Sequence, residues 1–423
     1  MTRKVESVTK EILEKISPSE EEMGGIRRIL EKFLSKARKN IKRSRIDADI
    51  FIGGSYAKGT LIRKKSYDVD IFLRLGKRYK EEEYPKISKK VLSRIKGISV
   101  SHGSRDYFKV NISSSLFFEI VPVKRIKSPK EAQNVTDLSY LHVNYIKKNV
   151  KDRKVIEGIK LAKAFCYATK TYGAESYIKG FSGYSLELLV YHFGGFEKLL
   201  RALSKKSNEK TVIDIEKHYK KKDVLMDMNG SKLDSPIILV DPTYRERNAL
   251  AGLSKETFER FKKYASKFLK SPSKKFFEQA SIDFSRIPSP GPGKETLIIE
   301  LATRKEKGDI AGTKLLKFFN HLERELSRDF KILKKDFEYY GEKTGKGYFI
   351  LKSRREVILT GPKKDDAKNV SRFKKEHISV FVKNSRVYAK KRIDFSPAEF
   401  IKDWSGKNKK KMEEMSITQI KVI

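Results

Sequence analysis

The sequence predicts an α+β fold in three parts, and three patterns carry that expectation. Short apolar runs between Ile50 and Val121 alternate as strands do, beside a long amphipathic helix. From Asp152 to about residue 200 the apolar period turns helical. After a Pro- and Gly-rich stretch the order becomes β-α-β-β-α-β. The corresponding division is 1–146, 147–268 and 269–423, within the roughly two to four domains that 423 residues imply.

In the first part, Ser19 and Glu22 have the spacing of a capping box. Ile26, Ile29, Leu30, Phe33, Leu34, Ala37 and Ile41 then keep helical period, with Gly24 and Gly25 weakening the first turns. A short strand, Ile50 to Ile52, runs into Gly53-Gly54-Ser55, and a second, Asp68 to Leu75, alternates cleanly. Tyr107 to Ile112 pairs with Leu116 to Val121 across Ser113-Ser114-Ser115. The helical second part is broken at Gly180-Phe181-Ser182-Gly183-Tyr184 and has few strand signals before Pro236 to Val240. Ser285 to Gly293 is the clearest linker. Beyond it come a strand (Leu297 to Ala302), a helix (Thr313 to Arg328), two strands around Gly341 to Gly347, a helix near Ala367 and a strand near Val387. This is the ferredoxin-like order, followed by a tail in which Lys407 and Lys409-Lys410-Lys411 read as a solvated, fraying end.

Composition narrows the partner. Lys+Arg number 95 against 54 Asp+Glu, a net charge of +41, so the field attracts polyanions and the binding is salt-dependent. The alternative is a lysine-rich surface kept for solubility or heat tolerance. One cysteine, Cys166, rules out an internal disulfide, and the six histidines show no metal-ligand spacing. No apolar core of a signal peptide is present near Met1, and no run of about eighteen apolar residues occurs. A soluble, cytoplasmic protein with no membrane partner is expected.

The chemistry lies in Gly54-Ser55, twelve intervening residues, then Asp68-Val69-Asp70. On a strand, residues two apart share a face, so both carboxylates point together while Val69, Ile71 and Leu73 point into the core. Two such carboxylates repel unless a cation lies between them, and Mg²⁺ suits carboxylates plus substrate phosphates. A pair of metal ions stabilises the attacking and leaving oxygens of an in-line phosphoryl displacement. The glycine-serine turn lets backbone amides approach a phosphate. Glu119, inside Phe117-Phe118-Glu119-Ile120-Val121-Pro122, is a carboxylate in an apolar run, costly to bury unless paired or bound to a metal. The alternative is that Asp68, Asp70 and Glu119 line exposed strand faces.

The stretch GGSYAKGTLIRKKSYDVDIFL resembles the signature of the polymerase-β-type nucleotidyltransferases. Further blocks resemble the archaeal (class I) CCA-adding enzymes: Val135 to Tyr145, Tyr172 to Glu175 with Gly180 to Tyr184, Val240-Asp241-Pro242 with Arg247-Asn248, Ser271-Pro272-Ser273 with Phe276-Phe277, and Gly361-Pro362 with Asn369-Val370. The resemblance runs over nearly the whole chain. It implies a polymerase-β-like head, a helical central domain and a C-terminal tRNA-binding body. Asp68, Asp70 and Glu119 would be the catalytic residues and hold two Mg²⁺ ions. Gly54, Ser55 and Lys58 would face the phosphates, His142, Lys163 and Tyr172 would make further nucleotide contacts, and Arg247 would read the base edge. The implied substrates are the tRNA 3′ acceptor end, CTP and ATP, and a homodimer stays open. The sequence departs from the pattern in three places: Glu119 stands for the usual aspartate, Lys58 for the common arginine, and Leu138-Ser139-Tyr140 differs before His142.

Independent support for these transfers varies. Lys163 lies four residues after Ile159, seven after Ile156 and three before Cys166, so it shares an apolar helix face. An inward lysine needs an anion, which a triphosphate would supply; a snorkelling lysine is the alternative. Tyr172 by itself is more often core than ligand, a lone His142 is more often a surface or satisfied histidine, and Arg247 has no signal of its own. Gly345-Lys346-Gly347-Tyr348-Phe349 faintly echoes an RNA-recognition strand, with plain core aromatics as the alternative. The functional rivals are a poly(A) polymerase or oligoadenylate synthetase, and a non-catalytic RNA-binding protein.

Overall fold

The structure is a computed structural model that describes residues 3–101, 105–205, 210–219, 223–278, 282–287 and 291–423. It forms two compact units, Met1–Ala280 and Ser281–Ile423.

The first unit opens with helices α1 (Arg3–Ile16) and α2 (Glu20–Arg43). The Ser19–Glu22 capping box is present: Ser19 Oγ accepts from Glu22 N at 3.1 Å while Glu22 Oε2 accepts from Ser19 N at 2.7 Å. Strand β1 (Ala48–Ile52) leads into the short helix α3 (Gly54–Ala57), followed by β2 (Tyr67–Leu75), α4 (Tyr84–Val91), β3 (Ile98–Ser101), β4 (Tyr107–Ser113) and β5 (Leu116–Lys124). The sheet order is β1-β2-β5-β4-β3, with β2 and β5 parallel and the other pairs antiparallel. Val69, Ile71 and Leu73 are buried beneath α2, where Phe33 meets Phe118 edge-on at 5.1 Å. The alternation of β2 therefore commits Asp68 and Asp70 to the opposite face.

The rest of this unit is built on α5 (Ser139–Asn149), α6 (Arg153–Ala168), α7 (Gly183–Phe193) and α8 (Phe196–Leu203). A small sheet follows: β6 (Thr211–Asp214), then α9 (Val224–Asp227), β7 (Ile237–Asp241) and β8 (Tyr244–Asn248), before α10 (Lys255–Lys270). Phe165 on α6 is fully buried among Phe196, Phe261, Phe268 and Phe277. The charged N-terminal stretch is itself a helix, and Val5 and Ile12 of α1 join this same core. Sequence reading passed over α1, β6 and β8.

The second unit contains β9 (Glu295–Thr303), α11 (Gly308–Leu326), β10 (Phe330–Tyr339), β11 (Thr344–Ser353), β12 (Glu356–Lys363), α12 (Ala367–Glu376), β13 (Ser379–Lys383), β14 (Arg386–Arg392), α13 (Pro397–Lys407), α14 (Lys409–Glu414) and β15 (Ile417–Val422). Its main sheet runs β10-β11-β9-β15. The last strand of that sheet is thus Ile417–Val422, and the expectation that the strand near Val387 fills this place is corrected. β12, β13 and β14 form a separate three-stranded sheet in the order β12-β14-β13, with α12 against β12. The tail is likewise corrected, because it does not fray: Ile401, Trp404, Met412 and Ile417 are buried in the core of this unit. Alternation over six residues is a weak signal beside so many lysines, while the free edge of β9 supplies the partner that fixes the strand. Phe349 stacks on Phe319 at 4.4 Å and Tyr348 is buried, so the Gly345–Phe349 aromatics are core. Of the linker, residues 288–290 lie outside the described residues. Among the described residues, no helix is long and apolar enough to cross a membrane.

Candidate active site

The parallel pairing of β2 with β5 sets the site. Asp70 lies opposite Glu119 and Asp68 opposite Phe117, so the D-x-D face of β2 continues onto β5 at Glu119. Mutual repulsion follows. Burial, then Asp68, pushes the Asp70 carboxyl up to about 6. Burial, then Asp70 and Asp68, pushes Glu119 up to about 7. Lys64 Nζ reaches Asp68 Oδ1 at 3.3 Å. Gly54 has φ +60°, and a Cβ there would stand 1.6 Å from Asp70 Oδ2, so only glycine lets the turn close against that carboxylate. The donor set fits a hard divalent cation: oxygen ligands whose repulsion a positive ion between them would relieve. Among the described residues, no three His, Cys, Asp or Glu side chains are drawn to ligand spacing. The three carboxylates share a face without forming a closed cage.

A cavity of about 280 Å³ adjoins this face. Its wall gathers seven of the ten residues singled out in the sequence: Gly54, Ser55, Lys58, Asp68, Asp70, Lys163 and Tyr172. Glu119, His142 and Arg247 are not in that wall. Tyr172 stacks on Tyr167 at 4.1 Å, and Lys64 lies over the Tyr167 ring at 5.1 Å. Gly183 matters here, because a Cβ would come within 2.8 Å of the Tyr172 hydroxyl.

Lys163 does point inward, and its anion within the protein is Glu187 of α7. Glu187 Oε1 accepts from Lys163 Nζ at 3.0 Å and from Thr60 Oγ1 at 3.0 Å, while Oε2 accepts from Lys58 Nζ at 2.6 Å. Burial alone would raise the Glu187 carboxyl, but Lys58 and Lys163 outweigh it and hold the group below its usual range. Burial, with the repulsion of Lys58, lowers Lys163.

His142 and Arg247 meet at a second buried carboxylate, Asp241, at the end of β7. Asp241 Oδ2 accepts from Arg247 Nη1 at 2.6 Å and lies 3.0 Å from His142 Nε2. Its Oδ1 takes the Tyr184 hydroxyl at 3.0 Å and the Thr243 amide and hydroxyl, each at 2.8 Å. Burial would raise Asp241, yet His142 and Arg247 bring it below the ordinary carboxylate range. Burial holds His142 below its usual range, so near neutral pH it is a neutral ring donating from Nε2 to Asp241. The ring stacks on Tyr184 at 3.9 Å.

Sequence reading missed Glu187 and Asp241 as functional groups. For Glu187 a signal was present: one glutamate in Leu186-Glu187-Leu188-Leu189-Val190 raises the question of cost that was asked of Glu119.

Residues 30–133 match the model of a nucleotidyltransferase domain, and residues 157–278 match that of the second domain of tRNA nucleotidyltransferase. Among solved structures, an RNA terminal U-transferase (14% identity, 66% of this chain, 100% of that chain, TM-score 0.50) and a poly(U) polymerase (13%, 66%, 100%, TM-score 0.52) share the fold. The match to the nucleotidyltransferase domain, on this fold, makes the chain a nucleotidyltransferase. A CCA-adding enzyme of Saccharolobus shibatae is 30% identical over 344 residues, which cover 79% of this chain and 75% of that one. One of Methanocaldococcus jannaschii is 27% identical over 93% of this chain and 88% of its own length. One of Nanoarchaeum equitans is 42% identical over 50% of this chain, which spans about half of that relative (52%). The chain belongs to the family of CCA-adding enzymes.

Proposed function

We propose that this chain extends the 3′ end of tRNA by C, C and A, using CTP twice and ATP once and releasing pyrophosphate at each step. The observation that carries this reading is the in-register placement of Asp70 beside Glu119, next to the Gly54-Ser55 turn and a lysine-lined cavity. Asp68, Asp70 and Glu119 would hold two Mg²⁺ ions. When bound, these supply charge for the attacking and leaving oxygens of an in-line displacement. The 3′-hydroxyl attacks the α-phosphate, and Glu119 helps to take its proton. Ser55 and the turn amides position the phosphates, with Lys58 and Lys163 behind them. Tyr172 lines the nucleotide cavity. Arg247, held with His142 on Asp241, reads the base edge. Head, helical middle and C-terminal body, the last with its ferredoxin-like strand order, divide the work between chemistry and tRNA grip, in the cytoplasm.

The test is incubation of the full chain with tRNA lacking its terminal CCA and each labelled nucleoside triphosphate in turn. Incorporation of two C residues and then one A is expected. Long A-tracts, or no use of CTP, would defeat the reading.

A further inference from the structure

Lys58 and Lys163 line the cavity wall beside the Gly54-Ser55 turn, yet both ammonium groups already touch an anion of the protein itself. Glu187 is fully buried and spends both carboxylate oxygens on them. Lys163 Nζ has three donors and three acceptors: Glu187 Oε1 at 3.0 Å, Thr60 Oγ1 at 2.7 Å and the Thr60 carbonyl at 3.3 Å. A phosphate oxygen can reach Lys163 only by displacing one of these. The Thr60 hydroxyl is itself bound to Glu187, so the carboxylate is the common partner of the whole cluster. Two ammonium groups and one carboxylate present a net +1 to the cavity. Without the carboxylate they would present +2.

We propose that Glu187 is a built-in competitor of the nucleotide's polyphosphate: it holds Lys58 and Lys163 before a nucleotide binds, yields them in part to phosphate oxygens, and takes them back as pyrophosphate leaves. The proposal rests on the nucleotidyl-transfer reading above and makes Glu187 a positioning residue that acts through the two lysines. Its purpose is release. A lysine pair with no internal anion would grip pyrophosphate too firmly, since charge interactions in a partly buried site are stronger than in water.

The test is Glu187→Gln in the full chain, titrated calorimetrically with inorganic pyrophosphate in the presence of Mg²⁺ and assayed for CTP incorporation into tRNA lacking CCA. Pyrophosphate should bind about tenfold more tightly than to the wild type, and KM for CTP and kcat should fall together. A residue that only props up the fold would weaken both affinities instead. If Glu187→Gln does not fold, Glu187→Asp draws the charge back by one methylene and should tighten pyrophosphate by a smaller factor. Unchanged or weaker pyrophosphate binding in a folded variant overturns the proposal. A wild-type chain that incorporates no nucleotide would instead sink the transfer reading, while the calorimetry still reports on the competition.

Discussion

Two pairs of carboxylates in the first unit experience opposite electrostatic conditions. Asp70 and Glu119 face each other across β2 and β5, and burial raises both, with Asp68 adding to Asp70 and Asp70 adding to Glu119. Glu187 and Asp241 are fully buried, yet each is drawn below its ordinary range by the side chains that hold it. At the first pair nearby lysines do not outweigh burial and repulsion, whereas at Glu187 and Asp241 the bound partners outweigh burial. On the reading proposed above, the first pair is where an external cation would relieve the repulsion, whereas the carboxylates held by partners fix the orientation of other groups.

The sharpest way to break this contrast is Asp70→Ala. Nucleotide transfer should drop by more than about a thousandfold while tRNA affinity stays within about twofold, because the loss falls on transition-state charge and leaves the basic surface intact. Filter binding beside a single-turnover assay separates the two; affinity lost in step with activity would make the aspartates structural. Next in size is Asp241→Ala, which leaves Arg247 without its carboxylate and His142 without its acceptor. It should cost about 3 kcal/mol in urea unfolding, since removing one partner strands the others. A change below about 0.5 kcal/mol would place Asp241 with the surface pairs.

The smallest effect concerns pH. Glu119 moves from 4.5 to about 7 on folding, so the folded chain binds the proton more tightly than the unfolded one. Its contribution to stability is therefore lost as pH rises from about 4.5 through about 7. In metal-free buffer the melting temperature of Glu119→Gln should exceed that of the wild type by a few degrees at pH 8 and converge on it near pH 5. Added Mg²⁺ should close the gap by stabilising only the wild type. Identical curves with and without Mg²⁺ would remove the cation from the account.

The same contrast explains what the sequence made visible. Asp68 and Asp70 were legible because a strand's period of two is local, and Glu119 because a charge in an apolar run has to be explained. The pairing that sets Glu119 beside Asp70 was not legible, since β3 and β4 intervene in sequence between the two parallel strands. Lys163 could be read as inward-facing, but its partner could not be chosen, because a triphosphate and a glutamate on another helix satisfy it equally. Asp241 has no local signal, because its partners lie 99 residues upstream at His142 and 6 downstream at Arg247. In the second unit β9, α11, β10, β11, α12 and β14 were legible, whereas β12, β13, the helices of the tail and β15 were not, nor were the sheet partners. Which strand claims a free edge is a long-range matter.

That edge has a consequence for synthesis. β9 pairs on one side with β11 and on the other with β15, more than a hundred residues later in the chain. While the polypeptide is still emerging from the ribosome, one flank of β9 has its amides and carbonyls open to any passing strand. Ile417–Val422 is thus a late closure, and shortening the chain before it would hand that flank to a neighbouring molecule.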